Sequence, residues 1–151
     1  MSLTKSRTYM NWVDVSVTPA GGDPIVILSV TGVAVNKGSK LKPFYGDNRY
    51  MPRVLAPVEG ERGISIMSGD LAAILTIQDR TVCTVTATLL DPINGKQAGG
   101  GAFKVTLINA LFEKQGGEGK NNEFAGGSVS FKAFSSDNDQ GEVDPLTIVY
   151  L

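Results

Sequence analysis

The sequence predicts a mainly all-β fold, an antiparallel β-sandwich or barrel with one short α-helix and a long extended loop. Three observations carry that prediction. Apolar and polar residues alternate with period two in several separate stretches, as strands with one buried face require. Glycine is abundant, at 18 of 151 residues against a usual ~7%, and it gathers between those stretches, where turns belong. Helical spacing occurs once, over a short run. With 42% hydrophobic residues in 151, the chain suits a single domain over 1–151, since two domains would each have an undersized core.

Val13, Val15 and Val17 alternate with Asp14, Ser16 and Thr18, which predicts a half-buried strand starting near Tyr9. Gly21, Gly22, Asp23 and Pro24 stop it. Residues 25–35 are nearly all apolar or β-branched, the pattern of a strand covered on both faces, and the short link makes the two a hairpin. Residues 36–63 break the pattern. They hold Lys37, Lys40, Lys42, Arg49, Arg53 and Arg62, interleaved with Phe44, Tyr45 and Tyr50, and three prolines. The expectation is a long loop or arm at about 37–62, with strand character only over 49–58. A loop of that length in a small domain is usually functional.

Residues 64–66 form a short predicted strand. In 68–77, Ser68 or Asp70 can cap a helix whose Leu71, Ile74 and Leu75 make an i, i+3, i+4 stripe. From 81 to 90, Val82, Thr84, Thr86 and Thr88 take one strand face, and Cys83, Val85, Ala87 and Leu89 the other. Asn94-Gly95 is a two-residue hairpin signal. Gly99, Gly100 and Gly101 then lead to a strand over 102–113, with Phe103, Val105, Leu107 and Leu111 on one face. A glycine-rich loop (116–119) precedes a strand over 128–135, with Val129, Phe131 and Ala133 inward. An acidic loop at 137–144 leads to a last strand, 146–151.

The chemistry of common active sites is missing. With no histidine in the chain, a triad with an imidazole base is excluded, and zinc sites lose their usual nitrogen ligand. Cys83, the one cysteine, lies on an apolar strand face and reads as a buried, inert thiol. No disulfide can form within the chain. The acidic run at 137–144 places Gly141 one position too early for a calcium-binding loop of the helix–loop–helix type, so it reads as a solvated turn. Gly95-Lys96 is followed by Gln97 and lacks the earlier glycine of a phosphate-binding loop. The expectation is a protein that is not an enzyme and needs no cofactor or metal.

Charge narrows the partners. Fourteen basic residues meet fifteen acidic ones, without the basic excess that drives phosphate binding. The distribution is uneven: residues 1–62 carry eight basic and five acidic residues, and 63–151 carry six and ten. Either this is chance, or it marks a polarised subunit whose basic part meets a neighbour's acidic part. The basic–aromatic stretch could serve as a platform for single-stranded nucleic acid, but its Tyr, Arg and Met content suits a protein contact equally well, and the near-neutral total favours the latter. Neither a signal peptide core nor a span-length apolar run is present, so no membrane partner is expected and a reducing cytosol is the expected site of synthesis.

The order of elements resembles that of bacteriophage tail tube proteins, a family related in fold to the tubes of contractile injection systems. The stretches that carry the likeness are 14–35, 36–63, 68–77, 81–90, 102–113 and 128–135. Its most family-like piece is Ser-Gly-Asp-Leu-Ala-Ala-Ile-Leu followed by Thr-Val-Cys-Thr-Val-Thr-Ala-Thr-Leu-Leu-Asp. The resemblance implies a structural virion protein that self-assembles into hexameric rings, stacked into the tail tube through which DNA is ejected. It implies a tail localisation after assembly in the host cytoplasm, with sheath, baseplate and tail terminator proteins as partners. The absence of an appended immunoglobulin-like stretch points to a contractile tail.

On that reading Lys37, Lys40, Lys42, Tyr45, Arg49, Tyr50 and Arg53 would make contacts between subunits or rings. DNA must slide without specific binding, so the lumen should be polar and not strongly basic. Thr84, Thr86, Thr88, Ser128 and Ser130 are the candidates for its lining, although the same faces could be outer, solvated surface. A carbohydrate-binding β-sandwich using exposed aromatics such as Trp12 or Tyr45 is the alternative.

Overall fold

A computed structural model describes residues 10–90 and 102–151. The Asn94-Gly95 turn and the triple glycine at 99–101 lie outside the described residues. Ten strands and one helix follow in order: β1 Asn11–Pro19, β2 Ile25–Val26, β3 Val30–Phe44, β4 Val54–Ser68, α1 Leu71–Thr76, β5 Cys83–Leu90, β6 Phe103–Glu118, β7 Gly126–Ala133, β8 Ser136–Asn138, β9 Gly141–Val143 and β10 Leu146–Tyr150. The mainly all-β, antiparallel expectation is met.

The main sheet runs β2-β1-β5-β6-β7-β4-β3, with β10 beside the first half of β6 and β7 beside its second half. β2 and β3 stand at opposite ends of that path, yet only residues 27–29 separate them. Three residues reach about 10 Å, so the sheet must curl until its two ends meet. Ile27 N donates to Val15 O (3.0 Å) and Gly69 N to Ser29 O (3.0 Å), which ties the ends together. Inside the curl lie Val15, Val17, Ile64, Ile66, Val85, Val105, Leu107, Val129 and Phe131, all buried. Ile74 of α1 joins them from one end.

The curl depends on bulges. Asp14 (φ 51°) sits in the register shift between Val13 and Ser16, and Asn109 (φ 54°) in the shift of β6 against β5. Asp and Asn tolerate this left-handed backbone better than other side chains, and a bulge bends its strand. The second bulge also changes which residues face inward. Phe103 packs on the core while Val105 and Leu107 are buried within it; beyond Asn109 it is Ala110 and Phe112 that turn in, so Leu111 departs from its expected face.

Four other stretches differ from expectation. The run at 25–35 is two strands, not one, because Ser29 takes φ 52° and the chain changes neighbours there. Residues 36–63, expected as a loop, are paired strands: β3 and β4 hold register from Val30↔Ser68 to Phe44↔Val54. Residues 116–118 continue β6 rather than looping, with Gly117 opposite Gly127. A Cβ on Gly127 would come 2.8 Å from both Gly116 O and the Leu71 side chain, so the glycines are there to seat α1 on the sheet. The acidic run holds the small β8–β9 hairpin, with Gly141 at φ 112°.

The helix forms as its caps predict. Asp70 Oδ1 accepts from Ala73 N (3.2 Å) and Ser68 Oγ accepts from Asp70 N (2.8 Å). At the other end the Gln115 amide donates to the carbonyls of Ile74 and Ile77, satisfying acceptors that a helix end leaves open.

Candidate functional site: a projecting ribbon and a hydroxyl-bearing face

β4 pairs with β7 only as far as Gly63↔Lys132. From Lys37 and Arg62 outward, β3 and β4 pair with each other alone, and almost every residue from 36 to 61 is exposed. The arm is thus a free two-stranded ribbon. Its tip, 45–53, is closed by Arg53 N donating to Phe44 O (2.8 Å), with Gly46 at φ 67° beneath Phe44 and Arg53.

Of the contact residues expected from sequence, Lys37, Lys40 and Lys42 stand on β3; Tyr45, Arg49, Tyr50 and Arg53 stand in the tip. Tyr50 is 95% exposed. The structure brings them together on one projection. Lys40 lies opposite Glu59, an opposite-charge pairing that favours the register.

Sequence reasoning missed the ribbon's apolar side. Leu41↔Pro57 and Pro43↔Leu55 are cross-strand partners two residues apart, so all four share one face, and all are exposed. Phe44 and Val54 add apolar surface on the other face. The spacing Leu41, Pro43 and Leu55, Pro57 was the available signal. Prolines usually argue against a strand, but a ribbon with free outer edges accepts them where their missing N–H faces outward, and there they block further strand pairing.

At the ribbon's root Arg62 Nε donates to both Asp144 carboxylate oxygens (3.1 and 3.2 Å), and its Nη1 donates to Gly38 O and Glu61 O. Partial burial alone would raise the Asp144 carboxyl. The Leu146 N–H, the Arg62 guanidinium and the nearby Lys37 charge outweigh it and hold the carboxyl below its ordinary range. This pair ties β4 to the chain just before β10. A cavity of about 470 Å³ lined by Gly60, Arg62, Phe134, Glu142 and Asp144 lies beside it.

The hydroxyl candidates all lie on the sheet face that points away from the core. Ser16 and Thr106 flank Thr86 in register, and Thr147 follows across β6. Ser16 Oγ and Thr86 Oγ1 are 2.8 Å apart, and Ser65 Oγ donates to Ser130 Oγ at 3.1 Å. Thr84, Thr86 and Ser130 are half-buried and Ser128 is exposed, but Thr88 is buried between Val13 and Lys104. Thr88 therefore presents little surface of its own.

Of the two aromatics in the carbohydrate reading, Tyr45 stays exposed in the ribbon tip, whereas Trp12 is engaged. Trp12 packs edge-on against Phe103 (5.8 Å, 88°), itself beside Tyr150, and so is not a flat open platform. Cys83 is buried, and burial pushes its thiol up. Among the described residues no cluster of three acidic, Cys or His side chains is spaced to hold a metal ion, and no helix is long and apolar enough to cross a membrane.

No protein-family model matches the chain, and no curated protein matches it in sequence. Solved structures do match in shape. A chain of the sheath–tube complex of an extracellular contractile injection system, in its extended state, aligns over 100% of this chain and 99% of its own, at TM-score 0.55 and 11% identity. A chain of the anti-feeding prophage baseplate aligns over 94% of each at TM-score 0.54 and 11% identity. The fold is therefore the tail-tube-like one of contractile injection assemblies. At such identity the likeness is one of architecture.

Proposed function

We propose that the chain is a structural subunit that does no chemistry and polymerises into the tube of a phage tail or a related contractile injection particle. The observation that carries this reading is the ribbon at 37–62, on a fold of the tail-tube kind. A lone two-stranded ribbon is at best marginally stable in water. This one also exposes Leu41, Phe44, Tyr50, Met51, Val54 and Leu55. Apolar surface of that extent on a soluble subunit marks an interaction site. On a single-domain body over 1–151, such an arm gains its partner when another copy supplies one.

In this reading the subunits form hexameric rings whose sheets join and remove their free edges, and the rings stack through heterologous contacts. Lys37, Lys40, Lys42, Tyr45, Arg49, Tyr50 and Arg53 lie in those contacts. The face bearing Thr84, Thr86, Ser128 and Ser130 lines the lumen, with Thr88 at its margin. Hydroxyls hydrate the passage, and the lysines that share the face are few (Lys104, Lys114 and Lys132, the last paired with Glu113 at 3.3 Å), so the lumen is not strongly basic and DNA slides through. Sheath, baseplate and terminator proteins meet the tube's outside and ends, and assembly takes place in the host cytoplasm before the tail is completed.

The test is multi-angle light scattering of the purified chain across a concentration series, with negative-stain microscopy of the same samples. Rings or tubes that grow with concentration are expected. A monodisperse monomer throughout, together with retention on a glycan column, would contradict the reading.

A further inference from the structure

The ribbon tip and α1 lie at opposite ends of β4. Val54 begins the strand at the tip, whereas Ser68 ends it two residues before the Asp70 cap. The loop 119–125 is at the α1 end as well, since Ser68 pairs with Gly127. So is Leu28, whose carbonyl accepts from Ser68 Oγ. Three large side chains are left open at this pole: Leu28 (64% exposed), Leu75 (55%) and Phe124 (103%). Leu75 stands on the helix that the glycine pair seats, and Leu28 and Phe124 lie in segments at the same pole.

The charges of the two poles are opposed. Residues 37–62 carry six basic and three acidic side chains. The loops at the α1 pole carry Asp23, Asp79, Glu118 and Glu123 against Arg80 and Lys120, with Glu118 paired to Lys120 at 3.2 Å and Asp70 already used as the helix cap.

Resting on the tube reading above, we infer that the α1 pole, through Leu28, Leu75 and Phe124, is the receptor for the ribbon tip of a second copy of this chain. Apolar surface meets apolar surface, and a basic projection meets an acidic rim that steers and orients it. Because donor and receptor occupy opposite ends of one subunit, the contact is head-to-tail. A contact of that kind repeats without closing and generates a filament. The same tip docking at its own pole would instead close a two-fold dimer. The β8–β9 hairpin is the competing acidic surface, with Asp137, Asp139 and Glu142. It stands beside the ribbon's root rather than at the far pole, and it lacks the exposed apolar triad.

A chain carrying both Tyr50→Cys and Leu75→Cys tests this, because the native Cys83 is buried. Under assembling conditions with a mild oxidant it should give a ladder of dimers, trimers and higher species on a non-reducing gel. Each single variant should give no ladder. Tyr50→Cys combined with Asp139→Cys should give none either. Tubes in the microscope with no ladder from the first pair, or with a ladder from the second, overturn the receptor assignment and leave the tube reading standing. Failure of the unmodified chain to assemble at all removes both.

Discussion

Arg62 Nε sits 3.1 and 3.2 Å from the two carboxylate oxygens of Asp144, joining the root of the projecting ribbon to the segment before β10. The carboxyl is held below its ordinary range, and its folded pKa is therefore lower than its unfolded one. The stabilisation is present above the unfolded value of about 3.9 and is lost as pH falls through the depressed folded value. Asp144→Asn should lower the melting temperature near neutral pH. The exposed carboxylate is screened by water, so the loss is modest, about 1 kcal/mol at most, or roughly 2–4 °C. Melting curves of both proteins across pH 7 to 3 should converge at the acid end. A gap that stays constant with pH would contradict the pairing.

Gly127 is the second point of leverage. A methyl group there meets Gly116 O and Leu71 at 2.8 Å, one contact being backbone that cannot swing aside. Gly127→Ala should cost about 1–3 kcal/mol, read as a lower melting temperature. Gly38→Ala, with nothing within 4 Å of the new carbon, is the control and should change stability by no more than about 0.5 kcal/mol.

Cys83 should be chemically silent. It is buried and burial raises its thiol, while the reactive species is the thiolate. A thiol reagent at neutral pH should find almost no titratable group in the folded protein and one per chain after denaturation. Fast reaction of the folded protein would mean that the barrel interior opens readily.

The ribbon tip gives the prediction closest to function. Arg49 and Arg53 are exposed and form no ion pair among the described residues. Arg49→Glu with Arg53→Glu should leave the melting temperature of the monomer nearly unchanged, within the ~0.5 kcal/mol usual for surface sites, while reducing polymer yield. Sedimentation of assembled material measures the second effect, and an unchanged yield would count against the ribbon as a contact.

Much of this fold was legible in the sequence. Period-two patterning located β1, β5 and β7, the acidic loop marked the start of β10, and the Ser68–Asp70 signal located α1, because these features are local. The ribbon was hidden by Pro43 and Pro57, which usually break strands and here are tolerated on a projection with free edges, and by Pro52 in the tip between them. The end of β6 was hidden by Gly116 and Gly117; the role of Gly117 is close approach to Leu71 and Gly127 across the sheet, contacts that no local pattern marks. Asn109 carried no sequence mark of a bulge, so the inward face beyond it was misassigned. Arg62–Asp144 spans 82 residues, and pairing at that range leaves no periodic trace. The basic tip residues were visible by type, but their shared apolar backing was not, because it depends on register.

Cryo-electron microscopy of whatever the purified chain assembles into tests the tube assignment most directly. The expected result is a tube of six-membered rings, with Thr84, Thr86 and Ser130 facing the lumen and residues 37–62 of each subunit bound to a neighbour. A tube with that hydroxyl face outside, or ribbons left free in solvent, would contradict it.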